Sequence, residues 1–462
     1  MALTIEQNPL YTLNPVGQEV IFTVLDAATV SAYFNVKYVA EVHISTVDIN
    51  LATTTAIVGT FKTTPNNTGS GIFDCRPILE SFVSPDNLAA LGSSYKTIAT
   101  SAIITHPLHL VDKFSLNDNV VRYLKIRFTI EGSATAAETP TPISGAVADS
   151  SQYTLINGYL KFTDELKLIA GNFGYEMIKF NMNNLEGQFL TNAPLTQYAN
   201  IEDYGTLSFI ATPTTSTVDS VAFKYYNSSG STISAETVDN IDANGGNTTW
   251  TSDTKNQLLH LGCFPANLQN WSTVFAAAMS LDLSYYTVRL LDSSNADISE
   301  TITININCPT LKGFEPIRLT WLNQWGVWDY YTFKMKSTKT ISTKGSTYQQ
   351  LEGTWNESIY SPSGYRGGKK AFRVNATEKI KMNTDFVNEA EAEWFEELIN
   401  SPEVYILEGY ESTVSTTLLL NQYVIPARLT TSSFTKKTVA NDKLIKYSFE
   451  VEKSKTLRTQ SV

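Results

Sequence analysis

The chain has 462 residues, of which 42% are hydrophobic, 11% aromatic and only 17% charged. This length and apolar content suffice for about two to four domains with cores of their own. Nucleic-acid binding needs clustered positive charge, whereas the formal net charge here is −11, so we expect no direct contact with nucleic acid.

The cysteines and the N-terminal stretch indicate where the chain is made. Cys75, Cys263 and Cys308 are odd in number and widely spaced, which argues against a disulfide framework or a zinc site and predicts buried thiols. The N-terminal stretch has no basic region followed by an apolar run, so we expect no signal peptide. No segment of about 20 apolar residues predicts a membrane span. These features predict a chain made in a reducing cytoplasm.

Residues 1–132 have the pattern of a β-sandwich module. Apolar side chains share one parity through Phe34–Ile44, and apolar residues alternate with basic ones in Val120–Ile130. Strands at this spacing, separated by turn residues such as Pro65–Gly71, are typical of immunoglobulin-like or fibronectin-like sandwiches. Residues 133–152 are small and polar and contain proline, so we predict a linker or an exposed loop there.

Two further modules are predicted, over residues 153–310 and 311–462. The first contains several β-strand patterns. The second contains the one notable helix, Val387–Asn400, where Asn388 and Glu391 form a capping-box pattern and Ser401-Pro402 ends the helix. The predicted fold is therefore mainly β, with several β-sandwich modules and one notable helix in the C-terminal module.

An aromatic hairpin is predicted around three of the seven tryptophans. The alternating run Ile317–Trp321 predicts one strand, Asn323–Gly326 a turn, and the aromatic run Asp329–Lys336 a second strand. Two interpretations stay open. Such rings bury large apolar areas in a sandwich core, and they also anchor neighbouring subunits at interface hot spots.

The positions of the rings within this hairpin indicate which of them pack in the core and which contact a neighbouring subunit. Trp321 ends an alternating run, so we predict that it lies in the core. Trp325 and Trp328 lie at or beyond the turn, where their own module encloses a side chain less easily, and we predict a subunit contact there. The candidate interface residues are Trp325, Trp328, Tyr330, Tyr365 and Arg366, the last two from the long loop Asn356–Lys370.

No catalytic, cofactor-binding or metal-binding residue is predicted. The four histidines are scattered, and His106 and His109 are separated by Pro107, which argues against a helical metal pair. Gly364–Lys370 lacks the spacing of a phosphate-binding loop, and no G-x-S-x-G elbow occurs. A glycosidase needs only two carboxylates close in space, and the sequence nominates no such pair.

Five continuous blocks lie in the first and last modules. They are FNVKYVAEVHI, GTFKTTPNNTGSGIFDCRPILESFV, IRLTWLNQWGVWDYYTF, TEKIKMNTDFVNEAEAEWFEELINSPEVYIL and KKTVANDKLIKYSFEVEKS. These blocks resemble structural proteins of tailed bacteriophages, and the resemblance is weaker in the second module. It implies a virion subunit of the tail, hub or baseplate, without enzymatic activity.

Three functions are therefore ranked. The first is a non-enzymatic structural subunit of a tailed-phage virion that needs no cofactor and acts by self-assembly with its own copies and other virion proteins. It would be assembled in the host bacterial cytoplasm and located in the virion. The alternative is a receptor- or glycan-binding surface protein of the virion, since exposed Trp and Tyr rings stack on sugars. The third is a tail-associated glycan hydrolase.

Overall fold

A computed structural model gives the fold. The described residues are 3–53, 56–83, 95–97, 108, 110, 113–117, 120–160, 166–180, 182, 187–211, 218–239, 257–307, 314–355, 357–362, 364–408, 424–431, 433, 435, 445–455 and 457–458. Strands make up 50% and helices 11%, which confirms the predicted mainly-β fold. The helices are α1 (Ala27–Ala32), α2 (Arg76–Leu79), α3 (Pro265–Trp271), α4 (Thr273–Met279) and α5 (Glu389–Asn400).

The contacts divide the chain into two compact units. The first unit is Met1–Asn307 with Leu322–Asp329, and the second is Cys308–Trp321 with Tyr330–Val462. The turn of the aromatic hairpin therefore belongs to the first unit and most of its two strands to the second. Three modules were predicted from the sequence, and the boundary between 307 and 308 lies near the predicted boundary between 310 and 311.

The first unit contains five sheets in its described part. Its strands are β1 (Thr4–Gln7), β2 (Leu13–Pro15), β3 (Ile21–Leu25), β4 (Phe34–Ser45), β5 (Gly59–Thr63), β6 (Ser70–Asp74), β7 (Tyr95–Thr97), β8 (Phe114–Asn117), β9 (Arg122–Ser133), β10 (Thr141–Asp149), β11 (Tyr153–Ile156), β12 (Leu166–Ile169), β13 (Asn172–Tyr175), β14 (Thr196–Ala199), β15 (Thr206–Ala211), β16 (Ser220–Asn227), β17 (Thr232–Asp239), β18 (Gln257–Gly262), β19 (Leu283–Leu291) and β20 (Ile302–Ile306). The sheet orders are β1-β3-β6, β2-β11-β9-β4-β5 with β10 on β9, β12-β13, β14-β20-β19-β16-β17 and β15-β18-β8-β7.

The N-terminal part of this unit is a β-sandwich. Alternate residues of β3 and β9 are buried, as strand periodicity requires when one face of each sheet meets a core. Phe22 on β3 and Phe73 on β6 contact Phe128 on β9, with ring centroids 5.7 Å and 5.6 Å apart. One buried cluster combines these residues of the two sheets.

Strand pairing crosses the boundaries predicted around residues 132 and 153. β11 pairs with β9 and with β2, and β8 pairs with β18. The predicted linker or loop over 133–152 is corrected over residues 141–149, which form β10 and pair antiparallel with β9. This strand is mostly exposed, and its register shifts between Pro142 and Val147. An exposed strand can be built from the small polar residues that otherwise indicate a linker.

The second unit is built on an eight-stranded sheet. Its strands are β21 (Ile317–Leu322), β22 (Trp328–Phe333), β23 (Thr338–Gln350), β24 (Gly368–Asn383), β25 (Val404–Leu407), β26 (Val424–Leu429), β27 (Ser448–Lys453) and β28 (Leu457–Arg458). The order is β22-β21-β25-β26-β27-β24-β23, with β28 on β24, so β23 is an edge strand.

Helix α5 covers this sheet; it ends at Asn400 as predicted and begins at Glu389, directly after the predicted N-cap Asn388 and two residues later than the predicted Val387. The Glu391 N–H donates to Asn388 Oδ1 (2.8 Å) and the Asn388 N–H donates to Glu391 Oε2 (2.7 Å), which completes the capping box. Its buried aromatic residues face the sheet: Trp394 lies 5.0 Å from Trp321, and Phe395 lies 5.4 Å from Phe449, between ring centroids.

Candidate interaction surface

The aromatic hairpin is buried within the chain. Trp321 is 0% exposed, Trp325 1%, Trp328 2% and Tyr330 6%. Trp321 is therefore a core residue, as predicted. The predicted subunit contact at Trp325, Trp328 and Tyr330 is corrected, because the chain itself already covers these rings.

Specific partners explain this burial. In the first unit, the Trp325 ring lies 4.4 Å from that of Phe180, and its Nε1 donates to Asn192 Oδ1 at 3.4 Å. In the second unit, the guanidinium of Arg318 lies over the Tyr330 ring, 5.2 Å from its centroid. Arg318 itself is only 5% exposed and donates to Thr332 Oγ1 at 2.8 Å. Strand β21 is consequently buried on both faces rather than one.

A second hairpin of this unit is exposed instead. It consists of β23, β24 and the loop between them, and we call Thr338–Asn383 the arm. The two strands pair antiparallel from Thr338↔Lys381 to Gln350↔Gly368. Along β23 only Tyr348 and Gln350 are partly covered, and every other residue is exposed. The Thr, Ser, Lys and Gln side chains of β23 thus give it no apolar face to bury.

The arm changes character along its length. Near its base, β24 buries Ala376, Ile380 and Met382 and pairs with β27 and β28. Beyond that lies the distal ribbon, Gly345–Gln350 paired with Gly368–Val374. In the part of the chain that the structure describes, no third strand pairs with the distal ribbon, and both of its faces are open to solvent.

The tip loop, Leu351–Gly367, is ordered by bonds of its own. Thr354 Oγ1 donates to the Ile359 carbonyl (2.9 Å) and accepts from the Ser361 N–H (2.8 Å). The rings of Trp355 and Tyr360 meet edge to face, with centroids 5.8 Å apart. Gly353, at φ +66°, lets the backbone approach the Tyr360 ring, since a Cβ there would lie 2.4 Å from it. These contacts link the two sides of the described part of the loop.

The arm exposes a concentration of large apolar side chains. Those more than half exposed and located in the tip loop or distal ribbon are Leu351, Trp355, Ile359, Tyr360, Tyr365 and Phe372. Of the five predicted interface residues, Tyr365 and Arg366 lie here, with the Arg366 guanidinium 5.6 Å from the Tyr365 ring centroid. The exposed Trp355, Ile359 and Phe372 were not among the residues predicted from the sequence. The sequence signal that could have indicated them is the preceding strand β23, in which apolar residues do not recur at every second position.

Phe372 occupies a β-bulge. Ser346 pairs with Arg373 while Thr347 pairs with Ala371, so β24 contains one residue more than β23 at this point. Bulges bend a strand and redirect its side chains. The bulge presents an aromatic ring that is 51% exposed on the distal ribbon.

The arm is also basic, in contrast to the rest of the chain. It contains eight Lys and Arg, three Glu and no Asp, a formal charge of +5, so the rest of the chain accounts for −16 of the total of −11. Near the base, Lys339 pairs with Glu315 (2.8 Å) and Lys379 with Glu450 (3.5 Å). Lys344, Arg366, Lys369, Lys370 and Arg373 have no carboxylate partner among the described residues.

Candidate catalytic groups are buried or structural. Ser208 Oγ and His260 Nδ1 are 2.7 Å apart, the spacing of a nucleophile and its base, yet the two residues are 4% and 1% exposed. Burial lowers the pKa of His260 to about 3, so the imidazole stays neutral at physiological pH. His43 is buried too, while His106 and His109 lie outside the described residues. The Ser208–His260 pair is therefore enclosed by the chain.

Two carboxyl groups have raised pKa values because of burial. Glu300 accepts the Phe189 N–H at 3.1 Å, and Glu391 accepts the N–H that begins α5. Each therefore holds backbone in place. A pocket of about 420 Å³ in the second unit is lined in part by Lys336, Lys446 and Tyr447, and none of the described residues of its lining is Asp or Glu.

Neither the described thiols nor the described possible metal ligands form a reactive centre. Cys75 and Cys263 are unpaired and buried, as predicted, and burial raises the pKa of Cys75 to about 12. Cys308 lies outside the described residues. No group of three or more His, Cys, Asp or Glu within the described ranges is placed to hold a metal ion.

Comparisons with known proteins add no family. No protein-family model matches this chain. A comparison with curated proteins finds no match either. None of the helices in the described ranges is both long and apolar enough to cross a membrane. Within the described residues, the arm stands out as an exposed, basic hairpin with a concentration of large apolar side chains.

Proposed function

We propose that this chain is a structural subunit of a tailed-phage virion, located in the tail, hub or baseplate. It acts without catalysis or cofactor, by assembling with copies of itself and with other virion proteins. The observation that carries the proposal is the arm, a long two-stranded ribbon with an ordered apolar tip. The sequence blocks that resemble tailed-phage structural proteins supply the particle type.

The distal ribbon gains little stability from its own chain. A two-stranded hairpin is marginally stable in water without a packed face, and neither face of this one is packed. Its outer edge, β23, also leaves one row of backbone groups without a strand partner among the described residues. A partner that covers the ribbon would both pack against its open faces and pair with the backbone groups of its edge, as neighbouring subunits do in an assembly.

The tip loop has the properties of an interface anchor. Trp355 and Tyr365 are 66% and 73% exposed, and aromatic residues are enriched at hot spots where truncation costs about 2 kcal/mol or more. Because the loop is already ordered by Thr354 and by the Trp355–Tyr360 contact, binding loses less conformational entropy. The buried positions of the Ser208–His260 pair and of the thiols support the non-enzymatic part of the proposal.

The experiment locates the chain and then shortens the arm. Intact particles purified from a lysate that produces this chain should contain it in stoichiometric amount, and imaging should place it in the tail, hub or baseplate. A variant in which Asn-Gly replaces residues 351–367 joins the paired residues Gln350 and Gly368 by a tight turn. This variant should fold and fail to enter particles.

The matched control is a point variant of the same loop, Gly364→Ala, because a Cβ there would meet nothing within 4 Å. It should enter particles normally. If the chain separates from intact particles during purification, or if the shortened arm enters them as efficiently as the parent, the proposal is wrong.

A second candidate, a receptor- or glycan-binding surface protein of the virion, is favoured by one observation. Trp355, Tyr360 and Tyr365 are each more than half exposed, and aromatic rings of this kind stack on sugars. Binding to host surface glycans, lost in Trp355→Ala while particles still assemble, would favour this candidate. A hydrolase would instead release reducing sugar from bacterial polysaccharides, with loss of activity on substitution of one Asp or Glu.

A further inference from the structure

We infer that the arm docks onto an acidic surface of a second copy of this chain, so that copies associate head to tail. The inference rests on the proposed function and goes beyond it by naming the occupant. Such an interface is heterologous, because the arm of one copy meets a different surface of the next.

Charge complementarity identifies the partner. The arm has a formal charge of +5 and the rest of the chain −16. The acidic parts of two copies would repel each other, whereas the basic arm of one copy would be attracted to the acidic part of the other. Like charges opposed across an interface suppress wrong pairings, and complementary patches set the orientation. Every copy supplies both the basic arm and the excess negative charge that would attract it.

The free cations lie where a partner would meet them. Lys339 and Lys379, near the base, already have carboxylate partners within the chain. Lys369, Lys370 and Arg373 lie on the distal ribbon beside the exposed Phe372 ring. Lys370 Nζ donates to the Tyr365 carbonyl (2.9 Å) and Arg373 Nε to Asn375 Oδ1 (3.0 Å), so both side chains are held while their charges stay unneutralised.

The tip favours a protein over a polyanion. Glu352 and Glu357 flank Trp355, and phosphates would repel these carboxylates. The exposed Leu351 and Ile359 are apolar side chains that need an apolar pocket in the partner. An acidic protein surface with an apolar depression complements both the basic distal ribbon and the apolar tip loop. A nucleic acid or a lipid headgroup layer complements only the basic distal ribbon.

The test measures self-association of the full-length purified chain by sedimentation, at low and high salt. We expect concentration-dependent oligomers that weaken as salt is raised. Lys369→Glu with Lys370→Glu should weaken association by about tenfold or more at low salt. The control, Lys336→Glu with Lys455→Glu, makes the same total change in charge away from the distal ribbon and should associate like the parent.

A mixing experiment separates arm-to-surface from arm-to-arm contact. A labelled chain with residues 351–367 replaced by Asn-Gly lacks the tip but keeps the acceptor surface. It should co-sediment with the intact chain and shorten its oligomers. If the intact chain associates but the labelled chain does not join it, the arms pair with each other and the inference is wrong.

Other partners give distinguishable results. Duplex DNA and vesicles of anionic lipid are added separately to the intact chain. If either binds it and the Lys369/Lys370 variant loses this binding while self-association is unchanged, the arm serves a polyanion and the inference fails. A chain that stays monomeric when purified yet is found in particles also overturns it. That result leaves the proposed function standing, with another virion protein as the occupant.

Discussion

Two hairpins of this chain are rich in aromatic side chains, and they differ completely in burial. All six residues of β21 are buried, including Arg318 and Thr320, whereas nearly every residue of β23 is exposed. The number of aromatic rings does not distinguish the two hairpins. The residues between the rings distinguish them: β21 alternates apolar residues with Arg318 and Thr320, of which Arg318 donates to Thr332, whereas β23 offers polar side chains to both faces.

The comparison teaches that an aromatic cluster indicates a subunit contact only when its own fold leaves it uncovered. Trp325 and Trp328 lie near a turn, and exposure was predicted from that position, yet both rings are buried by the chain itself. Trp355 follows a strand with no apolar face and is 66% exposed. Variants of the two hairpins should therefore separate stability from assembly.

The largest effect is expected from Trp321→Ala. Trp321 is fully buried against Trp394 and Phe395, so its removal should lower the free energy of unfolding by about 3–5 kcal/mol. We expect a similar loss for Trp328→Ala. Denaturant unfolding of the purified chain measures both. If Trp328→Ala unfolds like the parent and impairs assembly alone, its ring is an interface residue after all.

A smaller effect is expected at the turn of the buried hairpin. Gly326 has φ +75°, and a Cβ there would lie 2.1 Å from the Asn157 carbonyl oxygen. Gly326→Ala combines a left-handed backbone with a backbone clash and should cost about 2 kcal/mol or more. Gly364→Ala in the tip loop should change stability by less than about 0.5 kcal/mol. Equal thermal midpoints for the two variants would contradict the difference in packing.

A still smaller effect is expected at the N-terminus of α5, the helix that covers Trp321. Asn388→Ala removes the side chain that accepts the Glu391 N–H and should destabilise the chain by about 1 kcal/mol. Asn388→Asp keeps an acceptor at the same position and should restore most of that loss. Thermal unfolding of the three proteins measures this. An alanine variant as stable as the parent would show that tertiary packing alone fixes the helix.

The smallest effect on stability is expected from Trp355→Ala. The ring is exposed and contacts Tyr360 alone among the described aromatic residues, so the free energy of unfolding should change by less than about 0.5 kcal/mol. Assembly should nevertheless weaken by about 2 kcal/mol or more, as at a hot spot. Sedimentation and unfolding on the same preparation test both parts. If Trp355→Ala unfolds readily but still assembles, Trp355 stabilises the fold and is not an interface residue.

The strongest sequence predictions rested on local chemistry. The capping box of Asn388 and Glu391, the end of α5 before Pro402 and the turn after β21 were all predictable, because each depends on residues within a few positions of one another. The mainly-β fold follows from period-two alternation in many short segments. Residues 141–149 were misjudged as part of a linker or loop, because exposed strands and linkers share small polar residues.

The candidate site was only partly predictable: of the predicted interface residues, Tyr365 is exposed in the tip loop with Arg366 against its ring, whereas the rings at 325, 328 and 330 are buried. Sequence by itself determined which side chains share a face of a strand, since that depends only on the alternation of the backbone. The tertiary structure decided which faces are covered. Trp325 is buried because Phe180, far away along the chain, packs against it, and the distal ribbon is exposed because no described element covers it. Contacts between segments distant in sequence leave no local pattern, so only the folded chain shows them.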